Sequence, residues 1–368
     1  MKRALIVLLL LAVVAGGLFA QLSFNGHVQS GIGIAIPDGD TTVHWFSRDA
    51  NATYRFDLGA SYTHDSGRAG ASGGIRLQAG TLGGNGASIW VEPIDDVLRL
   101  QVGTGGPGGY NTPGSFDTHN NAANVEGFNI KLTPALDGMT FTVGAGINPS
   151  NTTFDKTRYT AGVTFGLPNL LNVVANIGSS YRAASETAEE GRVNNVAAGI
   201  GVLALNAASG ETGLTRLAVD MIANDLADLG WIGIGPAVGF RVAGVAAGDL
   251  GITLSSRIFL PLKDTYDMDY WVGLNLGVPL VTGVNLGINA GYEGKGAIPG
   301  VAGAMNAADG GGTGQSISGG TDPAFIVRPT VTFTIGNGTL ETGWSLQALL
   351  ADEMKLYNSL YAYFRVGF

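Results

Sequence analysis

Apolar and polar residues alternate with a period of two along most of this chain. In 22–36 the even positions read Leu22, Phe24, Gly26, Val28, Ser30, Ile32, Ile34 and Ile36, and the odd positions carry Ser23, Asn25, His27 and Gln29. Ala52 to Tyr62, Met139 to Ile147, Ile232 to Val242, Tyr270 to Val278 and Val284 to Tyr292 repeat the pattern. A helix would need apolar residues every three to four positions, so strict alternation predicts strands with one apolar face. The expected strands are 22–36, 48–63, 70–79, 87–92, 97–103, 125–133, 139–147, 157–166, 172–181, 193–205, 214–223, 231–243, 249–260, 269–278, 284–292, 324–335, 340–350 and 360–368.

This makes 18 strands, or 16 if Glu92-Pro93-Ile94-Asp95-Asp96 does not reverse the chain. In 214–229, Leu214, Leu217, Met221, Ile222, Leu226 and Leu229 also fit a helical stripe, and strand is the favoured reading. Short turns with turn chemistry occur at 64–69, 134–138, 279–283 and 336–339. They alternate with longer connections, notably 104–124, 182–192 and 293–323. The last of these is low-complexity Gly, Ala and Ser.

The chemistry of the two faces separates a membrane barrel from a soluble sandwich. A water-facing sheet surface should be rich in Lys and Glu. Here the polar faces carry Gly, Asn, Thr, Ser and Arg, and the apolar faces carry aromatics near their ends, such as Phe24, Tyr62, Tyr159, Tyr292, Trp344 and Phe368. That distribution suits lipid outside and water inside. Arg55, Arg76, Arg99, Lys131, Arg158, Arg216, Arg241, Arg257, Arg328 and Arg365 all take the polar parity of their strands, as do Asp57, Glu92, Asp220 and Glu341. An arginine on lipid at mid-depth costs about 2–4 kcal/mol, so these fourteen are expected to line a lumen. They could simply fill a wet interior by pairing, or give it a net positive lining; the two readings are compatible.

Composition narrows the class further. Gly makes up 59 of 368 residues, and there is no Cys. Lys2 and Arg3, the apolar run Leu5–Val14 and the small residues before Gln21 read as a secretory signal over 1–20, cleaved before Gln21. The remainder, 21–368, carries 18 basic and 29 acidic residues and reads as one domain. No later stretch approaches the length of a membrane-spanning helix, which leaves a closed barrel as the way to span.

The final strand, Leu360-Tyr361-Ala362-Tyr363-Phe364-Arg365-Val366-Gly367-Phe368, ends on an aromatic. With the signal at the other end, the chain resembles bacterial outer-membrane porins over its whole mature length. The resemblance implies an all-β, antiparallel up-and-down transmembrane barrel of about 16–18 strands in the cell outer membrane. It implies outer-membrane lipid, the barrel assembly machinery and small hydrophilic solutes as partners, with a homotrimer as the expected assembly and Phe368 as the assembly signal. The expected function is passive diffusion of small solutes or ions, leaning toward anions. The rival is a surface or adhesin barrel whose outer loops carry the function. Connection 104–124 reads either as an ordinary outer loop or as a constriction folded into the pore.

Other motifs point elsewhere only weakly. Gly103-Thr104-Gly105-Gly106-Pro107-Gly108 matches a dinucleotide loop, but the following Gly109–Gly114 cannot open a helix. His27, His44, His64 and His119 lack metal-ligand spacing. No nucleophile elbow exists, so no catalytic residue, metal or cofactor is expected. The acid clusters 38–40 and 264–269 read as solvated loop charge, and the acidic chain does not suit nucleic acid.

Overall fold

The computed structural model describes residues 22–368 except 38–40, 47–53, 79, 105–112, 115–126, 149–155, 169, 183–189, 204–210, 224, 227, 265–267 and 295–321. Its strands, in chain order, are β1 (Leu22–Pro37), β2 (Thr42–Phe46), β3 (Tyr54–Thr63), β4 (Ala69–Gln78), β5 (Thr81–Ile94), β6 (Leu98–Gly103), β7 (Gly127–Leu132), β8 (Thr140–Asn148), β9 (Arg158–Leu167), β10 (Leu171–Arg182), β11 (Gly191–Leu203), β12 (Gly213–Ala223), β13 (Trp231–Val245), β14 (Gly248–Pro261), β15 (Asp269–Val281), β16 (Val284–Glu293), β17 (Ala324–Ile335), β18 (Gly338–Leu349) and β19 (Lys355–Gly367). From β3 onward each strand pairs antiparallel with the next. The sheet then closes on itself, because β19 pairs with β1 from His27 opposite Gly367 to Pro37 opposite Tyr357.

The other edge of β1 is shared. Leu22–Ser30 pairs with β3 and Gly31–Ala35 pairs with β2. β2 and β3 together therefore make one stave, and the barrel has 18. The expected strand 48–63 is corrected accordingly: the outer half of β1 takes its partner from 42–46, and 48–53 lies outside the described residues. The reversal at 92–96 is real. Asp95–Val97 forms the turn, with Asp96 in the left-handed region at φ 54°, and β5 pairs with β6 across it. Residues 214–223 are strand, in register with β11 and β13.

One expected boundary fails for a local reason. The strand expected at 87–92 starts earlier, because β5 runs from Thr81. The ladder with β4 shifts register between Gly73 and Ile75, where Gly86 takes φ 86°. Asn85 and Gly86 stand opposite Gly74 as a bulge, with Gly83 and Gly84 back in register, so this stretch is strand rather than turn.

Burial is the reverse of that in a water-soluble protein. Gln29 and Asn129 are fully buried, and Asp220 and Ser345 nearly so, while Phe24, Val102 and Leu360 are more than half exposed. Polar groups avoid burial unless the interior supplies partners, and large apolar groups avoid water. The pattern is satisfied with lipid around the barrel and a polar lumen within. The termini and the turns at 64–68, 95–97, 246–247, 282–283 and 336–337 share one end. The connections 104–126, 149–157, 183–190 and 294–323 leave the other, called the loop end below.

The seam is sealed by the last residue. Phe368 N–H donates to the Gly26 carbonyl and Gly26 N–H to the Phe368 carbonyl, both at 3.0 Å. The Phe368 ring stacks on Phe56 at 6.0 Å between centroids. A side chain at Gly26 would collide with that ring and with the Asp57 carbonyl. Two net backbone hydrogen bonds and one aromatic pair amount to about 3 kcal/mol. Deleting Phe368, or Gly26→Val, is expected to lower the heat-modifiable, folded fraction on gels. Wild-type amounts of folded barrel in both variants would contradict this role for the seam.

Candidate functional site: the barrel lumen

All fourteen charged residues named from parity lie on the face that carries Gln29, Asn129, Asn176 and Ser345, the buried polar side of the wall. They are not evenly spread, and several are already engaged. The densest group spans β1, β3 and β4. Asp57, nearly buried, accepts from Arg55 Nε at 2.7 Å and from Arg76 Nε at 2.8 Å. His27 Nε2 lies 3.3 Å from the same carboxylate. One carboxylate thus anchors two guanidiniums and an imidazole on three adjacent strands. Arg365 stands beside this group, since Gln29 is opposite Arg365 on one side and Arg55 on the other.

A second group lies at the end that holds the termini. Arg99 sits over the Trp90 ring at 4.2 Å and 3.6 Å from Glu92. Lys131 is its register partner on β7. Glu92, Asp95 and Asp96 bring carboxylate oxygens within 4.8 Å of one another, but Glu92 is held by Arg99. Further round, Arg241 lies 3.6 Å from Asp249. Tyr361 donates to Glu341 at 2.9 Å and Tyr363 to Gln29 at 2.6 Å, so two inward tyrosines tie β18, β19 and β1 together across the seam.

The loop end of the lumen is aromatic. Trp231 and Phe259 meet edge to face at 5.2 Å, packed with Ala197 and Ile222. Trp271 packs with Ala324 and Ile326, and Arg257 lies over its ring at 5.5 Å. These residues take polar parity, opposite Ile232, Ile258 and Val272, so their position was readable from alternation once the strand bounds were known. On the rim, Lys263 donates to Asp228, and this neighbour holds the Asp228 carboxyl below the usual carboxylate range.

The decisive feature is an insertion. Pro113 and Gly114, the described middle of connection 104–126, lie inside the barrel and are buried. Arg216 Nη2 of β12 donates to the Pro113 carbonyl and to the Gly114 carbonyl, the latter at 3.1 Å. A Cβ on Gly201 of β11 would lie 2.7 Å from the Pro113 ring. A side chain at Gly114 would strike Asp220 and the Gly235 carbonyl. The chain therefore reaches from β6 and β7 to the wall made by β11, β12 and β13, and the glycines on both sides allow the approach. Of the two readings of this connection, the inward fold is the one observed at these residues. No sequence signal marks the wall it meets, because the contact joins residues more than a hundred apart.

Sequence parity undercounted the inward acids. Asp249, Asp269 and Glu293 share the lumen parity, and Asp269 and Glu293 are buried. They lie at strand ends, where parity alone does not separate wall from loop. Arg158 is exposed at the loop end of β9. Arg328 is buried on β17, opposite Asn289. The acid cluster at 38–40 lies outside the described residues, as does 265–267 within the cluster 264–269. Of the latter, Asp264 is exposed as expected of solvated loop charge, but Asp269 is buried on the lumen face at the start of β15, which corrects that reading for it.

This architecture can be compared with solved proteins. OpdL of Pseudomonas aeruginosa matches with a TM-score of 0.61 at 12% identity, covering 95% of this chain and 99% of that one. OccAB4 of Acinetobacter baumannii matches at 0.57 and 10% identity, covering 96% and 100%. The fold is that of the outer-membrane porins. No protein-family model matches the chain, and no curated protein matches it in sequence. The likeness is thus one of fold, at 10–12% identity, and not of shared residues.

The geometry makes Arg216 the anchor of the inserted segment. A charge-assisted hydrogen bond contributes about 1.5–3 kcal/mol. Arg216→Ala should release Pro113 from the wall, and Gly201→Val should push it away. Both are expected to change single-channel current and raise its noise in planar bilayers, with Arg216→Lys intermediate. Currents identical to wild type in both variants would show that this contact does not hold the segment.

Proposed function

We propose that the protein is an outer-membrane diffusion channel for small hydrophilic solutes or ions. The observation that carries this reading is the charged, polar lumen of a closed 18-stave barrel, narrowed by the segment pinned to Arg216. Barrels of 16 to 18 strands leave an aqueous channel, whereas eight-stranded ones are filled by side chains. We assign no catalytic step and no metal or cofactor to it. Residues 1–20 act as the export signal, Phe368 as the assembly signal, and the loop end faces the exterior.

The lumen is weakly anion-selective in this reading. Basic residues outnumber acids on the inner face, but the margin is slimmer than parity alone gives. Asp57 balances Arg55 and Arg76, Glu92 faces Arg99, and Asp249 faces Arg241. Where the pore narrows, low-dielectric walls strengthen the field of the remaining charges. Acids in bulk solvent are screened within about 8 Å at physiological salt.

Reversal potential in a KCl gradient tests both points. A steady open-channel current with slight anion preference is expected, shifting toward cations in Arg76→Ala with Arg158→Ala. No conductance from folded barrel would favour an anchor for surface loops instead. A cation-selective wild type would sink the anion assignment alone.

Orientation has its own test, made clean by the lack of native cysteine. Single cysteines at Asp264 and Ser66 occupy opposite ends of the barrel. In intact cells a membrane-impermeant thiol reagent should label Asp264→Cys and spare Ser66→Cys. The reverse pattern would invert the topology.

A further inference from the structure

Two polar side chains on the lipid-facing side of the wall are satisfied by the backbone of the next strand. Thr342 donates to the Tyr361 carbonyl at 3.0 Å, and Ser256 to the Trp271 carbonyl at 2.8 Å. Asn358 differs. It stands on the lipid-facing parity of β19, opposite Ile36 of β1 and Leu346 of β18. Its carboxamide is half-buried and makes no hydrogen bond in the described structure. Leu356 and Leu360, its neighbours on the same face, are both exposed, so the apolar band continues above and below it.

A groove of about 330 Å³ opens beside it, lined by Trp344, Asn358, Ser359 and Leu360. Trp344 stands opposite Leu360, and the wall is interrupted on its other side. The β17–β18 ladder lacks pairs at Arg328 and Pro329, which face Ser345 and Trp344. Proline brings no N–H to a ladder.

A carboxamide without a partner is costly in hydrocarbon. The groove opens on the surface that faces lipid around the whole barrel, so the missing partner comes from the bilayer. No charged side chain lines it, which leaves a phosphate nothing to bind. What fits is an acyl chain laid along Trp344 and Leu360, with a hydrogen-bonding group at its root. Asn358 offers both donors and an acceptor. An ester root can only accept, whereas an amide root donates and accepts. Depth agrees with this. Lys355 begins β19, and Asp352 and Glu353 form the exposed tip beyond it. Three residues at ~3.3 Å rise and ~45° tilt put Asn358 roughly 7 Å below Lys355, where the root of a chain lies beneath its headgroup.

We propose that Asn358, Trp344 and Leu360 form a binding groove for the amide-linked acyl chain of a membrane lipid in the leaflet at the loop end. The groove rests on the barrel spanning a bilayer and not on what its lumen conducts. Its failure therefore leaves conductance untouched, and loss of conductance leaves it standing.

The test uses full-length folded barrel in detergent, offered a ceramide and a diacylglycerol of equal chain length, with retained lipid counted by native mass spectrometry. Both probes are neutral, and the root of the acyl chain is an amide in one and an ester in the other. Wild type is expected to retain the ceramide about fivefold over the diacylglycerol, the equivalent of one hydrogen bond. Asn358→Leu keeps the apolar face and should lose the preference, whereas Asn358→Gln should keep part of it. Trp344→Ala removes one side of the groove and should lower retention of both lipids. Heat-modifiable mobility confirms the fold in every variant. Equal retention of the two lipids by wild type, an undiminished preference in Asn358→Leu, or unchanged retention in Trp344→Ala would each overturn the groove. Wild-type oligomers that dissociate in Asn358→Leu would also overturn it, because the carboxamide would then serve a second copy of the chain.

Discussion

Backbone hydrogen bonding in lipid is the constraint on which everything else here depends. An unpaired amide in hydrocarbon costs several kcal/mol, so a sheet that crosses a membrane must have no edge. The β1–β19 ladder removes the edge. Its last two bonds, between Gly26 and Phe368, show how far the requirement reaches, since even the terminal residue is paired. An up-and-down order with both ends in one seam then requires an even number of staves and puts the termini at the same end. The long connections are left to the other end. The split partner of β1 obeys the same rule: β2 takes over where β3 stops, and the ladder along β1 stays occupied.

Closure also decides where charge can go. With lipid on one face, alternation becomes compulsory, and a slip of one residue would turn a whole strand's arginines outward. The interior then collects groups that a soluble core would reject. It accommodates them through local pairing, as Asp57 does for Arg55, Arg76 and His27, and through tyrosine hydroxyls of β19 that reach Gln29 across the seam and Glu341 on the neighbouring β18. These contacts join neighbouring strands side to side. They stiffen the wall on the face where apolar packing is sparse.

Period-two alternation carries almost the whole fold in this chain. Strand existence, lumen parity and closure could be read from residues such as Ile232–Val242 and Leu360–Phe368, because one face per strand is chemically uniform. Boundaries were less legible where glycine blurs the pattern. The glycine-rich stretch 83–86 shows no alternation, and only pairing with β4 around the bulge at Asn85 and Gly86 makes it strand. Lumen aromatics were partly legible: Trp231 and Phe259 stand on the polar parity, but bulky residues at strand ends read as girdle when the end is not known. The contact of Pro113 with Gly201 and Arg216 was not legible at all. It depends on where an irregular segment lands after the barrel has closed, and no short-range pattern encodes that.

That contact changes how the inner charges should be weighed. Parity treats Arg216 as one of ten equivalent cations, yet its guanidinium is turned onto two backbone carbonyls of the inserted segment. Arg55 and Arg76 share one carboxylate, and Arg99 lies between Glu92 and the face of Trp90. A charge with a close partner contributes little to the field several ångströms into the lumen, because the pair looks like a dipole from there. Such a cation acts mainly on the wall, by holding neighbouring staves or the inserted segment in place. The field felt by a passing ion is therefore set by the imbalance within each local group more than by the total of basic residues. The group around Asp57, with Arg365 beside it, lies on the seam where β1 meets β19 and β3. The strands that close the barrel thus also carry a dense cluster of charges on its inner wall, so closure and the lining of the lumen draw on the same few residues.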